Sequence, residues 1–156
     1  MARVPMRTLR VLLQVTTALI FVYASFPAAH GIRIIGTSEY VKNMGFVLLN
    51  LQYGEPEYYD YITERMSLMV QMERWGGYLT AGLPIVLISD KHFNNVWYLQ
   101  SILIHEACHL EQRENGLHYD SIEMMEMECY GVQMYALVDL GYSEENARNA
   151  VPEEYR

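Results

Sequence analysis

His105 and His109 stand four residues apart with Glu106 beside the first, and this pair can serve one ion only if the stretch His105-Glu106-Ala107-Cys108-His109 is helical. At ~3.6 residues per turn, a four-residue step returns to almost the same helix face about one turn further on. Two neutral imidazole nitrogens can then reach a single divalent ion, while Glu106 projects to the flank where a bound water would sit. A chain of this composition produces the H-E-x-x-H pattern by chance in roughly one or two cases in a hundred. The flanks agree with a helix. Val96-Trp97-Tyr98-Leu99 and Ile102-Leu103-Ile104 are apolar at helical spacing, and Asn115-Gly116 supplies a stop. The pattern predicts a buried helix from about Asn95 to Glu114.

A catalytic zinc ion usually takes three protein ligands and leaves a fourth position for water, so a further ligand is expected. Asp120 to Leu140 reads as a second helix, with Asp120 and Glu123 placed as a capping box and Gly141 as its C-terminal stop. Its first half carries Glu123, Glu126 and Glu128. Glu126 shares a face with Ile122, Cys129, Tyr130, Gln133 and Leu137, a mostly apolar stripe where a carboxylate needs a partner such as a metal. Glu128 lies about 200° away around the helix, so only one of the two can reach an ion approached from this face. The expected metal ligands are therefore His105, His109 and Glu126, the expected ion is Zn²⁺, and Glu106 is the expected general base.

These residues resemble the gluzincin metallopeptidases, especially their minimal single-domain members. In such sequences the His pair is followed by a glutamine and the second helix reads roughly E-x-E-A-x-x-x-Q. The corresponding positions here are His105, Glu106, His109 and Gln112, then Glu126, Glu128, Cys129 and Gln133. The likeness covers about Pro84 to Gly141, and it departs from the pattern at Cys129, usually a small alanine, and at Tyr130, where many gluzincins have an aspartate that supports a ligand. The resemblance implies hydrolysis of a peptide or protein substrate, and an edge strand near the zinc helix that binds extended substrate by backbone pairing. The segment Pro84 to Ser89 is the expected strand for that role. His118 and Tyr119 are candidate donors to an oxyanion, and equally ordinary loop residues.

Around this motif the sequence predicts an α+β fold, a small zincin-like domain with a short sheet packed on the H-E-x-x-H helix. Leu83 to Ser89 is a branched apolar run with strand character. Met66 to Arg74 suits a preceding strand and also a helix, Ser38 to Gln52 is ambiguous, and Glu55 to Arg65 is helical. With 51% apolar residues, the chain is too hydrophobic to be disordered.

The first residues differ in kind. Arg3, Arg7 and Arg10 precede an uncharged stretch from Val11 to Phe26, and small residues follow at Ala28, Ala29 and Gly31, the layout of a signal peptide or membrane anchor. The expected division is residues 1–31 as that segment and 32–156 as the metallopeptidase-like domain. It places the domain outside the cytoplasm, exported or held at a membrane through residues 11–29. Without its three arginines the chain retains eight basic against nineteen acidic side chains, a formal −11. Such acidity, without basic clusters, argues against nucleic acid as a ligand.

Cys108 lies in the histidine motif and Cys129 on the glutamate helix. If a shared metal holds those helices together, the thiols can approach closely enough for a disulfide; two buried free thiols or a thiolate at the metal are the other arrangements. Two further functional classes remain alongside the peptidase: a non-catalytic zinc-binding protein, and an interaction module in which the motif is fortuitous. Glu106 weighs against the first of these, because a purely structural site needs no base there.

Overall fold

A computed structural model describes residues 30–72, 77–79, 84–89, 95–116 and 121–156. The order of elements is β1 (Arg33–Ile35), α1 (Ser38–Gly54), α2 (Pro56–Arg65), β2 (Leu68–Met72), β3 (Gly77–Leu79), β4 (Ile85–Ser89), α3 (Val96–Glu114), α4 (Ile122–Asp139), α5 (Glu144–Ala150) and a 3₁₀ turn (Glu153–Tyr155). The class is α+β. Four strands form one sheet in the order β1-β2-β4-β3. β1, β2 and β4 run parallel, with Leu68 opposite Arg33 and Ile85, and β3 lies antiparallel to β4 with Tyr78 opposite Leu87.

This order settles one alternative and corrects one expectation. Met66 to Arg74 does contain a strand, β2, but it joins β4 in parallel, which requires a connection longer than a hairpin turn. The strand within Pro84 to Ser89 is not an edge: β4 is bonded to β2 on one side and β3 on the other, so its backbone donors and acceptors are already taken. Gly77–Leu79 occupies the edge instead, and that short strand packs beside α3.

α3 is the centre of the molecule. Every residue from Leu99 to Cys108 is buried, as expected of a helix enclosed on all sides rather than along one stripe. It packs against α1, α2, α4 and β3. The main core joins Val86 and Ile88 of the sheet to Leu99, Leu103 and Ile104 of α3 and to Tyr40, Met44, Leu48 and Leu51 of α1. Asn95 caps α3, its side-chain oxygen accepting the Tyr98 N–H at 3.0 Å, and Gly116 with φ +61° follows the last turn. Near the other end, Glu111 accepts from Tyr61 Oη at 2.7 Å and from Arg65 at 3.0 Å, so α2 fixes the turn of α3 that follows His109.

α4 begins one residue later than the acidic capping pattern implies. Its cap is Ser121, whose hydroxyl accepts the Met124 N–H at 3.3 Å. Gly141, at φ +100°, ends the helix in the left-handed conformation that glycine adopts without strain.

Membrane association is also corrected. Among the described residues no helix is long and apolar enough to cross a membrane. α3, at 19 residues, has the length but carries Glu106, Glu111, Arg113 and Glu114. The segment expected as 1–31 falls almost wholly on residues 1–29, outside those described, as do His118 and Tyr119.

Candidate metal centre

The crossing of α3 and α4 brings three side chains to one point. His105 Nε2 and His109 Nε2 are 3.1 Å apart. Glu126 completes the triangle, with Oε2 3.3 Å from His105 Nε2 and Oε1 3.4 Å from His109 Nε2. Bonds of ~2.0–2.2 Å from zinc to nitrogen or carboxylate oxygen, arranged tetrahedrally, place neighbouring ligand atoms roughly 3.3 Å from one another. The observed separations of 3.1 to 3.4 Å are close to that figure, with one carboxylate oxygen of Glu126 facing each imidazole. His105, His109 and Glu126 thus form an HExxH-type zinc-binding site able to hold a metal ion.

A hydrogen-bond network across the two helices fixes how His109 meets the cluster. The Gln112 amide nitrogen donates to Met125 O at 3.1 Å and Glu128 Oε2 at 2.9 Å, which fixes the amide oxygen on the other side. That oxygen lies 3.0 Å from His109 Nδ1 and can only accept, so Nδ1 carries the hydrogen and a neutral His109 presents a bare lone pair at Nε2. At Nε2 a neutral His109 can therefore ligate a metal, and a protonated one donates to Glu126 Oε1 at 3.4 Å.

In the metal-free protein, protons on the histidines meet the carboxylate where a cation would. Burial alone would lower the His109 pKa, but its bonds with Glu126 and Gln112 and the nearby carboxylates raise it above the ordinary histidine value. Hydrogen bonds from His105 and His109 hold Glu126 down at about 2 despite its partial burial. Glu106, only 5% exposed, is pushed up by burial, with the two histidines opposing the rise and Glu126 adding to it. Its carboxyl therefore sits within the field of the whole cluster while contributing no atom to the triangle.

The cluster takes Glu126 and not Glu128; Glu128 holds Gln112, and Gln112 holds His109. The glutamine after the histidine pair is legible in the motif, but its role as the group that selects the His109 tautomer is visible only through its contacts on α4. Replacing a residue that orients a metal-binding imidazole typically costs 10–100-fold in affinity. Gln112→Ala should weaken zinc binding within roughly that range, as measured by competition with a chromophoric chelator, while the fold is retained.

The second imidazole is held differently. Among the described residues His105 Nδ1 is buried without a hydrogen-bond partner, and Tyr130 stands where the resemblance implies a carboxylate. Tyr130, one turn after Glu126 and on the same face, packs its ring 4.4 Å from the His105 ring at 49°. Burial, then the charge of Glu126, raises the Tyr130 pKa to about 12, so the phenol stays neutral. Tyr155, from the 3₁₀ turn, stacks on Tyr130 at 4.8 Å and 23°. The i to i+4 spacing from Glu126 to Tyr130 could have placed Tyr130 at the site; no local signal announces Tyr155.

Cys108 and Cys129 are joined in a disulfide, with Cα atoms 5.5 Å apart. It ties the histidine helix to the glutamate helix, and Cys129 Sγ lies 3.4 Å from His109 Nδ1. No family model matches this chain, and neither a curated protein nor a solved structure is found to be similar to it. What speaks for its chemistry is the site itself, whose triad is consistent with a zinc-activated centre for peptide-bond hydrolysis.

Proposed function

We propose that the protein is a zinc metallopeptidase of zincin-like build, with His105, His109 and Glu126 as the zinc ligands and Glu106 as general base. The observation that carries this reading is the convergence of His105 Nε2, His109 Nε2 and the Glu126 carboxylate at separations of 3.1 to 3.4 Å, with a second, buried carboxyl, Glu106, outside that cluster. A structural zinc site closes with four ligands; three protein ligands and an adjacent base leave a position for chemistry.

Zinc, when bound, supplies the Lewis acidity that acidifies a water and polarises an amide carbonyl. The residues do the rest. His105 and His109 offer Nε2, the latter because Gln112 keeps its hydrogen on Nδ1. Glu106 takes the proton from the attacking water and passes it to the departing amine nitrogen, a transfer favoured by a carboxyl whose burial brings its pKa closer to neutrality. An extended peptide can pair with the outer edge of β3, the strand at the sheet margin nearest α3.

Metal analysis and chelation test the reading together. Purified protein should carry one zinc per chain and hydrolyse unstructured polypeptides, chelation should abolish cleavage, and added zinc should restore it. One zinc per chain with no cleavage of a broad peptide mixture would favour a structural role for the metal, and no stoichiometric metal would overturn the site.

A further inference from the structure

We propose that the stacked rings of Tyr130 and Tyr155, with Glu123 and Glu154 beside them, form a subsite for an arginine or lysine side chain of the bound peptide. The proposal deepens the peptidase reading and rests on it for the position of the peptide. Tyr130 touches the His105 ring and Tyr155 covers Tyr130, so an aromatic wall leads from the metal cluster toward solvent. Both tyrosines are half-buried. A long side chain anchored by its backbone at the cluster can follow that wall for the width of two rings.

The turn that carries the outer ring is tied down. The Arg156 guanidinium donates to Val151 O at 2.8 Å and to Asn149 O at 3.1 Å. Val151 is buried at 2% exposure, and the Tyr155 N–H bonds to Pro152 O at 3.0 Å. A ring carried on such a turn can bind a side chain without the turn first being ordered, which reduces the entropic cost of recognition.

Charge selects the class of ligand. Glu123 precedes Tyr130 by seven residues on α4 and so falls on almost the same helix face, while Glu154 directly precedes Tyr155. Both carboxylates are exposed, and both act on the Tyr155 phenol. A hydrogen bond from Ser121 lowers the Glu123 pKa, which keeps that group ionised. The ring of Tyr155, with the charges of Glu123 and Glu154 acting on it, attracts a guanidinium or ammonium. A neutral apolar side chain gains only the ring contact, and an acidic one is repelled.

The test uses matched peptides differing at one position near the scissile bond: arginine, norleucine or glutamate. Affinity is measured on zinc-loaded Glu106→Gln protein, and kcat/KM on the wild type. The arginine peptide should bind roughly tenfold more tightly than the norleucine peptide, with the glutamate peptide weakest. Tyr155→Ala should bring the arginine-to-norleucine ratio close to one. Tyr155→Phe, which keeps the ring face, should preserve it. The double change Glu123→Gln and Glu154→Gln should reduce the ratio and its salt dependence, and retained zinc stoichiometry shows that each variant is folded. Absence of an arginine preference, or a preference indifferent to Tyr155, overturns the subsite even if the wild type cleaves peptides. A Tyr155-dependent preference in binding, without cleavage by the wild type, supports the subsite and sinks the peptidase assignment instead.

Discussion

Glu106→Gln should lower kcat for peptide hydrolysis by roughly 10²–10⁴, the usual worth of a positioned general base, and leave one zinc bound per chain. The two readouts separate because Glu106 lies outside the triangle formed by His105, His109 and Glu126. Glutamine matches glutamate in shape, so the packing around this buried side chain is retained. Burial disfavours the Glu106 charge in the metal-free protein, and an uncharged amide removes that penalty, so thermal stability should hold or rise. Glu126→Gln makes the contrasting control: it strikes a ligand, and zinc affinity and activity should fall together. Equal residual cleavage by wild type and Glu106→Gln would point to a contaminating protease and remove the case for catalysis. Loss of zinc from Glu106→Gln would mean that this carboxyl helps to hold the metal, and the assignment of base and ligand would have to be redrawn.

The site was legible in the sequence to the extent that it is local. His105 and His109 meet because a helix repeats every 3.6 residues, and Glu126 was distinguishable from Glu128 by the face it shares with Cys129, Gln133 and Leu137. All three of those neighbours are buried in the structure, whereas Ile122, from the same stripe, is 72% exposed at the first turn of α4. Residues that meet through the tertiary fold were less visible. β1 is three residues long, too short for alternation to register. The ambiguity of Ser38 to Gln52 has a definite cause: α1 buries Tyr40, Met44, Val47, Leu48 and Leu51 at helical spacing but also carries Phe46 and Leu49 on its exposed side, and apolar residues on both faces blur the period. The expectation that β4 is an edge failed because the pairing of Gly77–Leu79 with it is a matter of sheet order, which a strand pattern does not encode. Tyr155 reaches Tyr130 through a turn that follows α5, and no spacing within either segment relates the two.

Removing the disulfide, in Cys108→Ala with Cys129→Ala, should produce the largest loss of stability among the variants considered that spare the ligands. The bridge spans 21 residues of sequence, and in the chain-entropy account a loop of that length restricts the unfolded state by about 3 kcal/mol. Alanine is the right replacement, because Cys108 and Cys129 are 3% and 0% exposed and serine would bury two hydroxyls. Denaturant midpoints of the metal-free proteins should show the loss directly. The metal should also feel it: the bridge fixes α3 to α4 between the turns that carry His109 and Glu126, and Cys129 Sγ touches the His109 ring. Without it the three ligand atoms must be brought together at the expense of binding energy, so zinc affinity should fall while stoichiometry stays at one. Saturating zinc should then recover much of the lost stability, since a ligand that binds only the folded state stabilises it in proportion to the logarithm of its excess over Kd. Thiol titration of the unfolded, unreduced wild type should find no free thiol. Two titratable thiols would show that the helices are held by packing and metal alone, and an unchanged midpoint in the double variant would show that the bridge adds nothing to that hold.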